Sequence, residues 1–164
     1  MKNQNFTATI LVDQTPKQAF DAINNVRGWW SEETKGDTDK PGAVFFYHYQ
    51  DVHNCTFQIT ELVPGKKVVW HVLQNYFNFI KDQSEWVNTD VVFEITTKGD
   101  KTEVQFTHVG LVPAYECYDI CFNAWGTYIT KSLYDLITKG KGQPNPIEEA
   151  VKKAQEMSAE LQNK

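Results

Sequence analysis

Four histidines and three cysteines are the side chains of this 164-residue chain most easily put to chemical use. His48 and His53 flank Gln50-Asp51, so a tight hairpin would set them side by side across two strands, with Cys55 close by. Two imidazoles and a thiolate can begin a zinc site. A working site needs a third and usually a fourth ligand in the right geometry, and the neighbouring sequence names none, so a structural role and no metal are expected. Cys117 and Cys121 lie four apart in a helix-like stretch, where a free cysteine usually packs as a small hydrophobe. An odd cysteine count gives no disulfide framework, and reduced thiols are expected. His71 follows Trp70 in a run apolar on both faces, and the pattern leaves its side open.

His108 sits in QFTHVGLVP, where apolar alternation is about to stop. It shares a strand face with Val104 and Phe106, so it points toward whatever covers that face. One role is the polar anchor of an apolar pocket, exchanging a hydrogen bond with a ligand. The other is to fasten the strand-to-helix turn by bonding a backbone carbonyl or a hydroxyl. Buried polar groups are nearly always paired, and Gly110 and Pro113 already mark a special turn, so the fastening role is favoured. A general base also needs an orienting partner and a reacting group, and nothing adjacent in sequence supplies either. Acidic residues fall in loops or alternate outward, as Glu94 does between Phe93 and Ile95, so no carboxylate pair is indicated. GxSxG, P-loop, HExxH and CxxC patterns are all missing; no catalytic residue and no cofactor is expected.

These side chains must be positioned by the elements around them. Phe6, Ala8, Ile10 and Val12 alternate with polar residues and predict a half-buried strand. Asp13 to Thr15 offer capping oxygens before Pro16, and Ala19, Phe20 and Ile23 follow at helical spacing, so a short helix ends near Asn24-Asn25. VRGWWSEE then leads into a polar loop over 31–42. From Ala43 to Val109 come AVFFYHY, His53 to Val63, KKVVWHVL, DVVFEITT and TEVQFTHV, separated by turns at Pro64-Gly65 and Lys98-Gly99-Asp100. Short connections imply an antiparallel meander. The long connection, Gln74 to Asn88, carries Tyr76, Phe77, Phe79, Ile80 and Trp86, which suits a cover.

After Pro113 the period becomes helical. Tyr118, Phe122, Trp125, Ile129 and Leu136 share one face, flanked by Ala114, Cys121, Ser132 and Leu133. A helix over 114–139 would be about 39 Å long at 1.5 Å per residue, with Gly140 ending it. Only this element is large enough to cover the apolar face of the sheet. Curling a sheet around one helix leaves space near the open end, and aromatic residues there would line a pocket. Trp29 and Trp30 are adjacent and are expected to divide: one under the sheet's opening, the other at the rim or partly exposed.

Composition narrows the partners. The formal net charge is −5 with no long Lys or Arg run, which argues against nucleic acid and anionic membranes. MKNQNFTATILV resembles neither a signal peptide nor a membrane span, so a cytoplasmic location is expected. Aromatic residues make up 13% of the chain, enough volume to line a cavity.

GWWSEE, SEWVNTDVVFEI, KTEVQFTHVGL and NAWGTYITKSLYDLITKGKGQP resemble motifs of the SRPBCC superfamily, the START, Bet v 1 and polyketide-cyclase-like helix-grip proteins. Within it, the chain is similar to the family related to the C-terminal domain of the activator of Hsp90 ATPase. The resemblance covers about residues 5–143. It implies an α+β helix-grip fold: a curved antiparallel six-stranded sheet wrapped around a long C-terminal helix, with short helices after the first strand. Residues 1–143 would form that domain and 144–164 a helical extension. Functions implied by the resemblance differ in class: ligand carrier, co-chaperone, cyclase or hydrolase. The leading expectation is a non-enzymatic protein holding a small apolar or amphipathic ligand, as monomer or homodimer. The expected cavity lining is Trp29, Trp30, Trp70, Phe93, Phe106, His108, Tyr118, Phe122 and Trp125. A co-chaperone-like interaction module is the alternative, and an enzyme the third.

Overall fold

The computed structural model describes residues 5–49, 53–77, 81, 86–112 and 118–145. Expectations for Cys117, the start of the long helix and the extension beyond 145 lie outside these residues. Strand β1 (Phe6–Val12) leads to helices α1 (Pro16–Asn24) and α2 (Val26–Trp29). Thr15 caps α1 through its side chain, with Gln18 completing a capping box and Pro16 at the helix start. A meander follows through β2 (Val44–Tyr49), β3 (His53–Val63), β4 (Lys67–Phe77), β5 (Asp90–Lys98) and β6 (Lys101–Val109). All neighbours are antiparallel in the order β1-β6-β5-β4-β3-β2, so the first strand closes against the last.

The inward faces alternate as the sequence predicts. Phe45 and Tyr47, Phe57 and Ile59, Val68, Trp70 and Val72, Val91, Phe93 and Ile95, and Val104, Phe106 and His108 are all buried. Two irregularities between β3 and β4 bend this surface. At the first, Thr56 pairs with Gln74 and Phe57 with Val72, leaving Leu73 without an opposite residue. The inward phase of β4 then changes from Val72 to Asn75 and Phe77, while Leu73 and Tyr76 face out. The strand therefore runs four residues into what the sequence presents as the long connection.

The covering helix runs in three parts: α3 (Tyr118–Thr127), a π turn (Tyr128–Leu133) and α4 (Tyr134–Lys139), ended by Gly140 in the left-handed conformation. Cys121, Trp125, Ile129, Leu133 and Ile137 are buried at a constant spacing of four. In a pure α-helix such a row drifts by about 40° per step, because 3.6 residues make a turn. The wider π turn winds the row back toward the sheet. This moves the buried face away from the one expected from the helical wheel. Phe122 is 46% exposed and meets Phe6 edge-on at 5.0 Å, Tyr118 is half-buried, and Cys121 and Leu133 lie inside instead.

Ser132, within the π turn, donates to the Trp29 carbonyl at 2.6 Å and accepts from Gln143 N–H at 2.8 Å. Gly142 makes that approach sterically feasible. A Cβ there would stand 2.6 Å from the Gly28 carbonyl and 2.7 Å from that of Ser132. No helix among the described residues is long and apolar enough to cross a membrane.

Candidate functional site

Both tryptophans of the GWW stretch are buried, so neither is partly exposed, but they do divide: Trp29 packs in the core and Trp30 lines a cavity. Trp29 ends α2 and sends its indole N–H to the Ile23 carbonyl at 3.0 Å; Trp30 leaves the helix and turns inward as well. Their rings are nearly parallel to each other and to Trp70. Trp29, Trp70, Phe93 and Phe106 form a continuous packed core beneath the sheet's centre, each fully buried.

His108 is fully buried and both of its ring nitrogens are engaged. Trp125 Nε1–H donates to Nδ1 at 3.1 Å, and because an indole nitrogen only donates, Nδ1 carries no proton. Nε2–H then donates to the Thr89 hydroxyl at 2.8 Å, which in turn donates to the Trp86 carbonyl. One imidazole thus ties the helix, the last strand and the end of the long connection together. Burial, with a smaller contribution from His53, pushes its pKa down to about 3. Gly110, at φ +103°, leaves room for this link, since a Cβ there would meet Thr89 Cγ2 at 2.7 Å. The hydroxyl partner fits the fastening role, and Nδ1 accepts from an indole where a general base would donate to an orienting acceptor.

Beyond Trp125 and Trp30, toward the open end of the sheet, lies a cavity of about 130 Å³. Tyr47 and Tyr49 of β2, His53 of β3 and Phe77 of β4 supply the sheet side. Ile120, Cys121, Ala124 and Trp125 of α3, with Tyr128 from the π turn, supply the helix side, and Trp86 closes the end. Trp86 stacks on Trp125 at 5.6 Å and stands edge-on to His53 at 4.7 Å; Trp30 stacks on Tyr47 at 3.9 Å. Of the nine residues expected to line a cavity, Trp30 and Trp125 are on this wall. Trp29, Trp70, Phe93, Phe106 and His108 lie in the packed interior beside it, while half-buried Tyr118 and partly exposed Phe122 pack against each other, with Phe122 on Phe6, away from this wall.

Among the described residues no Asp, Glu, Lys or Arg lines the wall. His53 Nε2 bonds Asn75 Oδ1 at 2.7 Å, and burial lowers its pKa to about 3 despite that bond. Burial, then the neighbouring Tyr128 phenol, raises Tyr47 well above the usual tyrosine range. The other sequence candidates are dispersed. His48 opposes Asn54 and faces outward, bonding Glu33 at 2.7 Å, so it does not meet His53, whose partner in register is Tyr49. His71 also faces outward, bonding Asp90 at 2.7 Å. Cys55 is buried, and burial pushes its thiol pKa well up. Among the described residues no three His, Cys, Asp or Glu side chains cluster as metal ligands.

Tyr47, Phe77 and Trp86 are wall residues the sequence does not single out as a site, and His53 is weighed there only as a metal ligand. Their one signal is the aromatic richness of the connection, from which Phe77 and Trp86 come. The phase change at Leu73 hides Phe77, because simple alternation from Trp70 and Val72 points it outward.

A family model described as activator of Hsp90 ATPase homolog 1-like protein matches residues 15–138. No curated protein matches the chain in sequence. Among solved structures, the Aha1 dimer from Colwellia psychrerythraea is similar with a TM-score of 0.68 at 23% identity, over 84% of this chain and 98% of that one. DynU16, a protein of the dynemicin biosynthetic locus, gives 0.62 at 12% identity over 86% of this chain and 49% of its own. A protein from Mesorhizobium loti gives 0.62 at 12% identity over 80% and 95%. At these identities the likeness is one of fold.

Proposed function

The chain belongs to the activator of Hsp90 ATPase homolog 1-like family, within the SRPBCC superfamily of helix-grip proteins, and on that footing we propose that it is a non-catalytic binding protein for a small, largely apolar molecule. The observation that carries this is the cavity of about 130 Å³ between sheet and helix, whose described lining is mostly aromatic and includes no Asp, Glu, Lys or Arg. An apolar cavity of about 150 Å³ suffices for one benzene-sized molecule. Size therefore selects a single ring, and a lining without those side chains disfavours ions, whose desolvation it would not offset.

The experiment is a titration with benzene, toluene and indole. At tenfold excess over the dissociation constant, the stabilisation of about 1.4 kcal/mol corresponds to a rise in melting temperature of roughly 3–5 °C. The five tryptophans provide an internal control. Indole NMR signals of Trp30, Trp86 and Trp125 should move, while those of Trp29 and Trp70, which do not line the cavity, should move little. No thermal shift, or movement of all five alike, would sink the proposal. A second reading, a module that modulates an Hsp90-type ATPase, has the family match behind it but no residue-level observation. An enzymatic reading finds little support at His108, which does not line the cavity and whose Nδ1 accepts from Trp125 where a general base would donate to an orienting acceptor.

A further inference from the structure

Polar groups reach the cavity wall at one corner, and they arrive from the segment after the covering helix. Asn145 N–H donates to the Trp30 carbonyl at 2.9 Å, and Glu32 N–H donates to the Asn145 carbonyl at 2.9 Å. Backbone pairing thus holds Asn145 against the GWW stretch. From there its side-chain Nδ2 donates to Tyr128 Oη at 2.8 Å and Tyr47 Oη at 3.2 Å. Both phenols are on the cavity wall.

The hydrogen count at this corner has a direct chemical meaning. Each phenol oxygen accepts from Asn145, so each keeps its own hydrogen to donate. One hydrogen can be spent between the two phenols, and among the described residues no carbonyl or carboxylate accepts the other. The indole N–H groups of Trp30 and Trp86, two more wall residues, are also buried without a partner. A buried donor left unmet costs about 1–3 kcal/mol, so an occupant that accepts a hydrogen bond is preferred over a hydrocarbon of the same shape.

Resting on the cavity being a binding site, we infer that it selects a neutral single-ring compound bearing an acceptor oxygen, which takes a hydrogen from the Tyr47–Tyr128 pair. Asn145 is the positioning residue of that pair: its amide N–H groups occupy a lone pair on each phenol oxygen, so the one hydrogen not shared between the phenols is left for the occupant. Specificity is therefore set partly by a residue beyond the helix.

The test uses acetophenone and isopropylbenzene, equal in heavy-atom count and differing in the acceptor oxygen, with dissociation constants from NMR titration of the full chain. Tyr128→Phe and Asn145→Asp are the variants, the second placing a carboxylate where it accepts both phenol hydrogens. Each is expected to weaken acetophenone by roughly three- to tenfold and to leave isopropylbenzene unchanged. A purely structural role for either residue would move both compounds together. Equal changes for the two compounds, or an acetophenone constant unmoved in both variants, overturn the inference. Isopropylbenzene binding without acetophenone binding also overturns it while leaving the cavity a site. Failure of both compounds on the unmodified protein removes the binding reading itself, and this inference with it.

Discussion

Acidification from pH 7 to pH 4.5 is expected to lower the unfolding free energy by roughly 5 kcal/mol, through His53 and His108. Both pKa values are lowered from 6.5 to about 3, chiefly by burial. Below pH 6.5 the unfolded chain takes up a proton on each imidazole, whereas the folded protein does so only near pH 3. Protons therefore favour the unfolded state, and the stability present above pH 6.5 is lost progressively as pH falls toward 3. Each histidine contributes a slope of about 1.4 kcal/mol per pH unit within that window. A loss of this size is a large fraction of the 5–15 kcal/mol or so that typical domains possess. Urea unfolding at a series of pH values measures it. His53→Phe should halve the slope attributable to the pair, and His108→Gln should do the same from the other site. A slope that neither substitution changes would show that the buried imidazoles do not control acid stability.

Removal of the Trp125 side chain is expected to cost about 3–5 kcal/mol, the range for truncating a buried large aromatic. Trp125 is 1% exposed and packs against Trp30, Trp86 and Phe106 at ring separations of 4.9, 5.6 and 4.6 Å. Its loss also leaves His108 Nδ1 without its donor, so Trp125→Ala removes a core wedge and a buried hydrogen bond together. Trp125→Phe separates the two contributions. It keeps most of the bulk and loses the N–H, and about 1–3 kcal/mol is expected for that alone. Chemical denaturation of both variants decides the matter. A Trp125→Ala cost below about 1 kcal/mol would mean that the helix is not gripped through this residue.

Local periodicity was enough to place the strands, the short helix capped by Thr15 and the covering helix, because each buries one face of a regular element. That His108 finds a fastening partner was likewise legible, since a buried imidazole beside a forced turn must find a bond; the sequence leaves open whether a carbonyl or a hydroxyl provides it, and nothing there points to the Trp125 indole. What escaped depends on departures from regular period. The unpaired Leu73 reverses the inward phase of β4, so Phe77 enters the cavity against the alternation of Trp70 and Val72. The π turn draws a row of residues spaced by four onto the sheet, so Cys121 and Leu133 displace Phe122 from the buried face. Trp30 turns inward beside Trp29 only because the helix stops between them. Such features are set by how the sheet and helix fit together, which no single segment encodes. The cavity wall suffers most, because it is assembled from six separate parts of the chain: Trp30, β2, β3, β4, Trp86 and the covering helix.

Crystals exposed to iodobenzene test most directly whether the cavity is an accessible, ring-sized binding site. One anomalous peak is predicted between Trp30, Tyr47, Trp86 and Trp125, with those side chains little moved. An interior with no iodine, or with the aromatic side chains collapsed into the space, would contradict the binding reading.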